Sequence, residues 1–322
     1  MADHLPTSVQ EQFHALGETL REFAVMRDFP WSHVLRLTGL DGRVVWVKRC
    51  GDGMAFEPGL TRIVEEVGSP LLVPTLWIDG RWIATDHVDG QLQRDAAPML
   101  DAMLRLQEPL ADLQRGLSSR VEDASAVGTP SLGANDVEAL VERALELCAR
   151  DAHLAERPLQ LSETQVVRES VLRLRELMAR LDSVSDIRTI QHLDLHHGNV
   201  FEPAGGVQVF DWGDARIGSP LLHLVSTLSL LSFVVGVDVR DPRVAAVGDA
   251  YVGAWPGLKL APAEWELVLD PRLAALIRLD ALTAAVHGGS DEQLAPFADW
   301  LGDLVRAAAS SDPSGARGVR LA

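Results

Sequence analysis

Lysine is almost missing from this 322-residue sequence: of 29 basic residues only Lys48 and Lys259 are lysine, and the rest are arginine. With Ala, Leu and Val abundant, arginine is the default base here, so a lysine stands out as a position that calls for a compact ammonium group. Bases are also few in total, 29 against 46 acids, for a net charge of -17. That balance excludes a general duplex-DNA binder, since phosphate recognition needs clustered Lys and Arg. Basic metabolites or antibiotics are easier partners, although an acidic surface also serves solubility alone. Cysteine is nearly absent too, with Cys50 and Cys148 lacking any C-x-x-C spacing. This excludes a disulfide framework and points to the cytoplasm. The N-terminus has neither the basic end nor the apolar run of a signal peptide. The one long apolar stretch, Leu221 to Val239, is broken by His223, Ser226, Thr227, Ser229, Ser232 and Asp238. It reads as a buried core helix rather than a membrane span. No repeat recurs at a fixed period.

What is present is a globular balance, 47% apolar and 23% charged, in a chain long enough for one bilobal domain or two moderate ones. The first 90 residues read as mixed α/β. Apolar residues at helical spacing (Phe13, Leu16, Leu20, Phe23) predict a helix over Ser8 to Phe23, with Ser8 as a possible N-cap. Strands at Val34–Leu37 and Val44–Lys48 flank Asp41-Gly42, a hairpin signal. Phe56 to Val67 reads as a helix, and two strands follow around Asp79-Gly80, Thr75–Ile78 and Trp82–Asp86. From Leu92 onward the pattern turns helical. Capping boxes at Asn135–Glu138 and Ser162–Gln165 open two leucine-rich runs, to about Ala149 and Leu181. Val121 to Ala134 reads as a surface loop, and Ser310 to Ala322 as a frayed tail.

The chemistry concentrates in Gln191-His192-Leu193-Asp194-Leu195-His196-His197-Gly198-Asn199, followed by Val207-Gln208-Val209-Phe210-Asp211-Trp212. Short strands at Val200-Phe201 and Val207–Phe210, joined through Gly205-Gly206, return Asp211 to the neighbourhood of Asn199. Asp194, Asn199 and Asp211 then converge as three oxygen-bearing side chains. Phosphoryl transfer needs a hard cation with oxygen ligands and a carboxylate near the attacking hydroxyl. Asn199 and Asp211 suffice for Mg2+, while Asp194 orients the acceptor hydroxyl and takes its proton late.

This stretch resembles the signature of the antibiotic phosphotransferase family, which includes aminoglycoside kinases and is related to protein kinases. That signature is His-x-Asp-hydrophobic-His-x-Gly-Asn followed by Asp-Trp or Asp-Phe. The resemblance runs from about Val34 to Val235. It implies an α+β, bilobal, protein-kinase-like fold with a small β-rich N-lobe carrying one key helix and a larger, mainly helical C-lobe. The nucleotide-binding lobe would be residues 1–90, the catalytic and substrate-binding lobe 91–322, and the hinge about 86–90. It further implies a kinase using ATP or GTP and Mg2+, with Asp194 as catalytic base and Asn199 and Asp211 as metal ligands. Lys48 would contact phosphate, Glu57 would hold Lys48, and Asp86 and Val88 would lie at the adenine-binding hinge. His192, His196 and Asp214 support the loop or touch substrate. The implied acceptor is a hydroxylated small molecule, a cationic antibiotic first, taken by a monomer or homodimer without nucleic acid or membrane.

The chain departs from the family pattern in several places. Leu193 stands where glycine is usual, Gly218-Ser219-Pro220 replaces Gly-Asp-Pro, and His223 takes the place of a following aspartate. No glycine-rich loop precedes Lys48, so the phosphate cover is unassigned. Other readings compete. The histidines near Asp194 could mark a zinc site, but their spacing fits no zinc motif. Asp270, Asp280 and Asp291 could meet substrate amines or simply be solvated. Trp255, Trp265 and Trp300 read as core residues. A metabolic kinase for an amino alcohol, amino acid or sugar would show the same motif, as would a catalytically dead nucleotide-binding protein. A protein kinase fits less well, since no Ala-Pro-Glu segment follows Asp211.

Overall fold

The computed structural model describes residues 5–90, 92 and 95–311. It opens with α1 (Thr7–Ala15) and a five-stranded antiparallel sheet: β1 (Leu20–Phe29), β2 (Ser32–Gly39), β3 (Val44–Cys50), β4 (Thr75–Asp79) and β5 (Trp82–Asp86). The strand order is β1-β2-β3-β5-β4, and α2 (Glu57–Glu66) interrupts the sequence between β3 and β4. Strand alternation sets the two faces of β3. Val45 and Val47 pack with Val9 and Phe13 of α1 in a small core. Lys48 therefore points from the opposite face, paired in register with Val34 and Ile83.

The first helix is shorter than its spacing predicts. It stops at Ala15, and Gly17 at φ 84° turns the chain so that Leu20 and Phe23 lie in β1. Glycine enters that backbone region without the Cβ clash other residues meet. β1 is an edge strand and is largely exposed along both faces, so it carries no clean alternation to read.

Among the described residues the rest is helical apart from two short strand pairings. α3 (Ala96–Leu117) leads into α4 (Val121–Ala126), α5 (Val137–Arg150) and α6 (Leu161–Ser183). The segment read as a loop from Val121 thus begins as a helix, and only its second part is irregular. Gln160, not Ser162, caps α6, with its N–H donating to Glu163 at 2.8 Å. Asp136, rather than Asn135, caps α5. Next come β6 (Thr189–Gln191), β7 (Val200–Phe201), β8 (Gln208–Val209) and β9 (Arg216–Gly218), with β6 paired to β9 and β7 to β8. β9 is a further strand that the sequence does not announce.

α7 (Leu221–Val235) is almost wholly buried and ends at Gly236, short of Val239. Its internal polar groups are satisfied within the core: His223 bonds Gln107 at 2.9 Å and Thr227 at 3.1 Å. Among the described residues no helix is long and apolar enough to cross a membrane. α8 (Pro242–Ala254), α9 (Pro262–Val268), α10 (Pro271–Ala285), α11 (Asp291–Leu294) and α12 (Ala298–Ala309) complete the chain. The main core joins α3, α5, α6, α7, α10 and α12. Trp255 is buried there, while Trp265 and Trp300 pack partly buried against it. The tail expected to fray lies outside the described residues from position 312 onward.

Two contacts tie the sheet to the helices. At the tip of the β1–β2 hairpin, Trp31 stacks on Phe29 (centroids 4.7 Å apart) and meets Phe297 edge-on at 4.9 Å. Just after β3, a Cβ built on Gly53 would lie 1.8 Å from the carbonyl oxygen of Ala284 in α10, so only glycine fits that approach.

Candidate active site

The loop between β6 and β7 is wired through its own side chains. His192 is fully buried, and burial lowers its imidazole pKa, so it serves as a neutral bridge. Its Nδ1 accepts the Asp194 N–H at 3.3 Å, and its Nε2 bonds the carbonyl of Phe210 at 3.0 Å, one residue before Asp211. His192 thus links the backbone at Asp194 to the strand that ends at Asp211. Leu193 has φ 62°, the left-handed region where glycine is at ease and leucine is strained. Its side chain is buried, and its carbonyl accepts the Ser226 hydroxyl from α7 at 2.6 Å. Ser226 thereby braces the loop, while His223 faces α3.

Asp194 receives three donors. Arg278 Nη1 reaches Oδ1 at 2.9 Å, Asn199 Nδ2 reaches Oδ2 at 2.8 Å, and His196 Nε2 stands 3.4 Å from Oδ2. The Gly198 N–H donates to His196 Nδ1 at 2.8 Å, so the other ring nitrogen carries the proton that faces Asp194. Burial alone would raise the Asp194 pKa, but Arg278 and then His196 hold the carboxyl well below the ordinary range. Asp214 stands 3.6 Å from the same Arg278 nitrogen. Its pKa is pushed up to about 7 by burial and by the neighbouring Asp194 charge, against the pull of Arg278 and Arg216. Two nearby carboxyls are thus driven apart, one ionised and one drawn towards holding its proton.

The second half of the site hangs on Lys48. Its Nζ donates to both oxygens of Glu57 (2.8 and 2.7 Å) and to Asp211 Oδ1 at 2.6 Å. Burial would lower the Lys48 pKa, but Asp211 and Glu57 raise it well above the ordinary value. Glu57, 2% exposed, is raised by burial despite Lys48, and the Cys50 thiol donates to it at 3.2 Å. Asp211 is lowered, Lys48 overcoming the effect of burial. It too has a left-handed backbone, φ 70°. Asn199 spends both amide protons on Asp194, one on the carbonyl (2.9 Å) and one on the carboxylate. Its amide oxygen is thereby left as the atom available to a cation. Among the described residues no three His, Cys, Asp or Glu side chains gather as a metal-binding group.

The structure therefore brings together Lys48, Glu57, Asp194, Asn199 and Asp211, with His192, His196 and Asp214 around them. Asp86 and Val88 follow at the end of β5. The Asp86 carboxylate is held by Arg43 (Nε 2.9 Å, Nη2 3.0 Å). Sequence reasoning missed Arg278 and Ser226. Neither lies in a motif, and in an arginine-rich chain Arg278 draws no notice. A cavity of about 280 Å³ opens between α7 and α10, lined by Ser229, Phe233, Asp238, Val268, Asp270 and Ala274 among others and by none of the converging residues. Ser229 is one turn beyond Ser226, and Ala274 one turn before Arg278. A larger cavity of about 780 Å³ lies among α3, α8 and the β7–β8 turn and is lined by none of the converging residues.

The model of the phosphotransferase enzyme family matches residues 31–261. Solved structures share the fold at low identity. A macrolide 2'-phosphotransferase from Brachybacterium faecium is 16% identical over 91% of this chain and 98% of its own, with a TM-score of 0.56. The choline kinase LicA from Streptococcus pneumoniae is 13% identical over 92% and 97%, with a TM-score of 0.59. The kinase APH(2")-IIIa, solved with GDP and kanamycin, is 15% identical over 92% and 97%, at 0.57. A search of curated proteins finds no match. The matched span takes in β3 with Lys48, the loop from His192 to Asp211 and the whole of α7, and the chain belongs to the phosphotransferase enzyme family.

Proposed function

We propose that this phosphotransferase moves the γ-phosphoryl group of ATP or GTP to a hydroxyl of a small molecule, using Mg2+. The observation that carries the reading is the 2.6 Å bond between Lys48 and Asp211, residues 163 positions apart, at the mouth that also holds Asp194 and Asn199. The donor set fits the metal: one carboxylate and one amide oxygen, with phosphate and water supplying the rest. When bound there, Mg2+ would neutralise charge on the β- and γ-phosphates.

The residues then divide the work. Lys48, braced by Glu57, offers its ammonium to the nucleotide phosphates. The backbone around Asp86 and Val88 meets the base. The β1–β2 hairpin, whose turn is Pro30-Trp31, is the element left to cover the phosphates in place of a glycine-rich loop. Asp194 accepts the acceptor's O–H and orients its lone pair towards phosphorus. Its low pKa makes it a weak base, which suits a loose transition state in which the proton leaves late. The γ-phosphorus separates from the β,γ-bridging oxygen, which keeps the electron pair. The acceptor oxygen forms the new bond, and its proton passes to Asp194. The cluster is complete within one chain, so a monomer or a homodimer would be competent. Two free cysteines, one buried, accord with a reducing cytoplasm.

For the acceptor, the acids considered as amine contacts are engaged elsewhere. Asp270 pairs with Arg272 at the start of α10, Asp280 with Arg216, and Asp291 with His153. A guanidinium stands beside Asp194. These features favour a hydroxylated antibiotic of low positive charge over a polycationic one, with a metabolic hydroxyl compound as the second reading. Transfer of labelled γ-phosphate to a panel of aminoglycosides, macrolides, sugars and choline-like alcohols separates them. Turnover of the alcohols alone would remove the antibiotic reading, and phosphorylation of aminoglycosides first would remove the low-charge one. No transfer to any acceptor, with nucleotide binding intact, would favour a catalytically dead protein.

A further inference from the structure

Arg278 has a donor to spare. It is 8% exposed and sits on α10, 84 residues from the base. One terminal nitrogen, Nη1, serves both acids, at 2.9 Å from Asp194 and 3.6 Å from Asp214. The other, Nη2, is buried and has no hydrogen-bond partner among the described residues. An arginine placed only to neutralise two carboxylates would turn its planar fork towards them and engage both nitrogens. Here Nη1 is committed, while Nη2 is buried without a partner. Such a group needs a partner.

The surroundings say which partner. The residues between Asp194 and Asn199 are Leu195, His196, His197 and Gly198, with no lysine or arginine among them. Lys48 is tied to Glu57 and Asp211 on the nucleotide side. A hydroxyl oriented by Asp194 lies within hydrogen-bond reach of that carboxylate, and so does the guanidinium. The phosphoryl group arriving at that hydroxyl thus enters the field of Arg278 from the acceptor side. Its anchorage is rigid: α10 is pinned to β9 by the buried Arg216–Asp280 ion pair and to the segment after β3 by the Gly53–Ala284 approach. Preorganised charge of this kind stabilises a transition state without reorganisation at the moment of transfer.

We propose that Arg278 is a catalytic residue whose free nitrogen binds an oxygen of the phosphoryl group in flight. This rests on the phosphotransfer reading above. Bond changes are those already given: the bridging oxygen keeps its pair, the acceptor oxygen bonds phosphorus, and the acceptor proton goes to Asp194. Arg278 remains protonated throughout.

The test uses the full chain without any acceptor, so the unidentified substrate does not enter. Wild type, Arg278→Ala and Arg278→Lys are titrated with MgADP and with MgADP plus aluminium fluoride, a mimic of the transferring group. Basal hydrolysis of MgATP, with water as acceptor, is followed in parallel. Nucleotide affinity should stay within about threefold in all three, while Arg278→Ala loses roughly 100-fold in aluminium fluoride tightening or in basal kcat, with partial recovery in Arg278→Lys. Far-ultraviolet circular dichroism and MgADP binding report whether each variant is folded, and Arg278→Lys keeps the counter-charge should the alanine variant fail to fold. Equal tightening and equal basal kcat in wild type and Arg278→Ala would overturn the role. A wild type that binds no MgADP would instead take down the phosphotransfer reading, and this role with it.

Discussion

The Ser226 hydroxyl donates to the carbonyl of Leu193 at 2.6 Å, so α7 holds the residue before Asp194 in a left-handed backbone. Leucine in that region is strained by about 1 kcal/mol relative to glycine, and this one bond helps to hold it there. Ser226→Ala leaves a buried carbonyl unsatisfied and should cost roughly 1–3 kcal/mol in a urea melt. Turnover should fall while nucleotide KM stays level, because only the base is displaced. Leu193→Gly relieves the strain but empties a buried side chain, a loss of about 3 kcal/mol or more, so it should still be net destabilising.

Lys48 and Glu57 form a nearly dry pair, and removing Lys48 alone should cost more than removing both. Lys48→Met strands a buried carboxylate and should cost about 3 kcal/mol. Adding Glu57→Gln removes that uncompensated charge and should return part of the loss, a coupling readable in a double-mutant cycle. Additive effects would show that the pair does not act as a unit.

His223 makes folding acid-sensitive. Burial lowers its pKa to about 3, against about 6.5 in an unfolded chain. Between those values the unfolded state binds a proton that the folded state refuses, so stability is full above about pH 6.5 and declines as pH falls. The slope from this site is about 1.4 kcal/mol per pH unit. His223→Gln removes the titration while keeping a donor for Gln107, and denaturant midpoints measured from pH 7 to pH 4 should fall less steeply in it.

Asp211 and Asn199 should carry the metal dependence of nucleotide binding. In wild type, Mg2+ should raise the thermal stabilisation produced by ATP. In Asp211→Asn and Asn199→Ala that increment should shrink by about 1–2 kcal/mol, equivalent to a loss of affinity of about five- to thirtyfold. An undiminished increment in both variants would remove their assignment as ligands.

The loop from His192 to Asp211 was legible because its chemistry depends on polar residue types at fixed local spacing. β1 was not legible, since both of its faces are largely exposed and Leu20 and Phe23 continue a helical spacing that only Gly17 interrupts. β9 exists through its pairing with β6, residues 189–191 against 216–218, and no local pattern encodes such a partner. The same holds for Arg278, whose meaning depends on Asp194 some 84 positions away. Leu193 shows the reverse case: the departure from glycine was visible, but its strain and the serine that offsets it appear only in three dimensions.

The meeting of Trp31 with Phe297 gives the molecule a built-in optical gauge. One indole at the hairpin turn rests on a ring near α12, so lifting the hairpin must change that indole's surroundings. Fluorescence of Trp31, isolated by replacing the other tryptophans or by comparison with Trp31→Phe, would follow the opening of the cleft in real time. Nucleotide binding could then be followed without a label, because any shift of the hairpin on adding MgATP would change the emission of that indole.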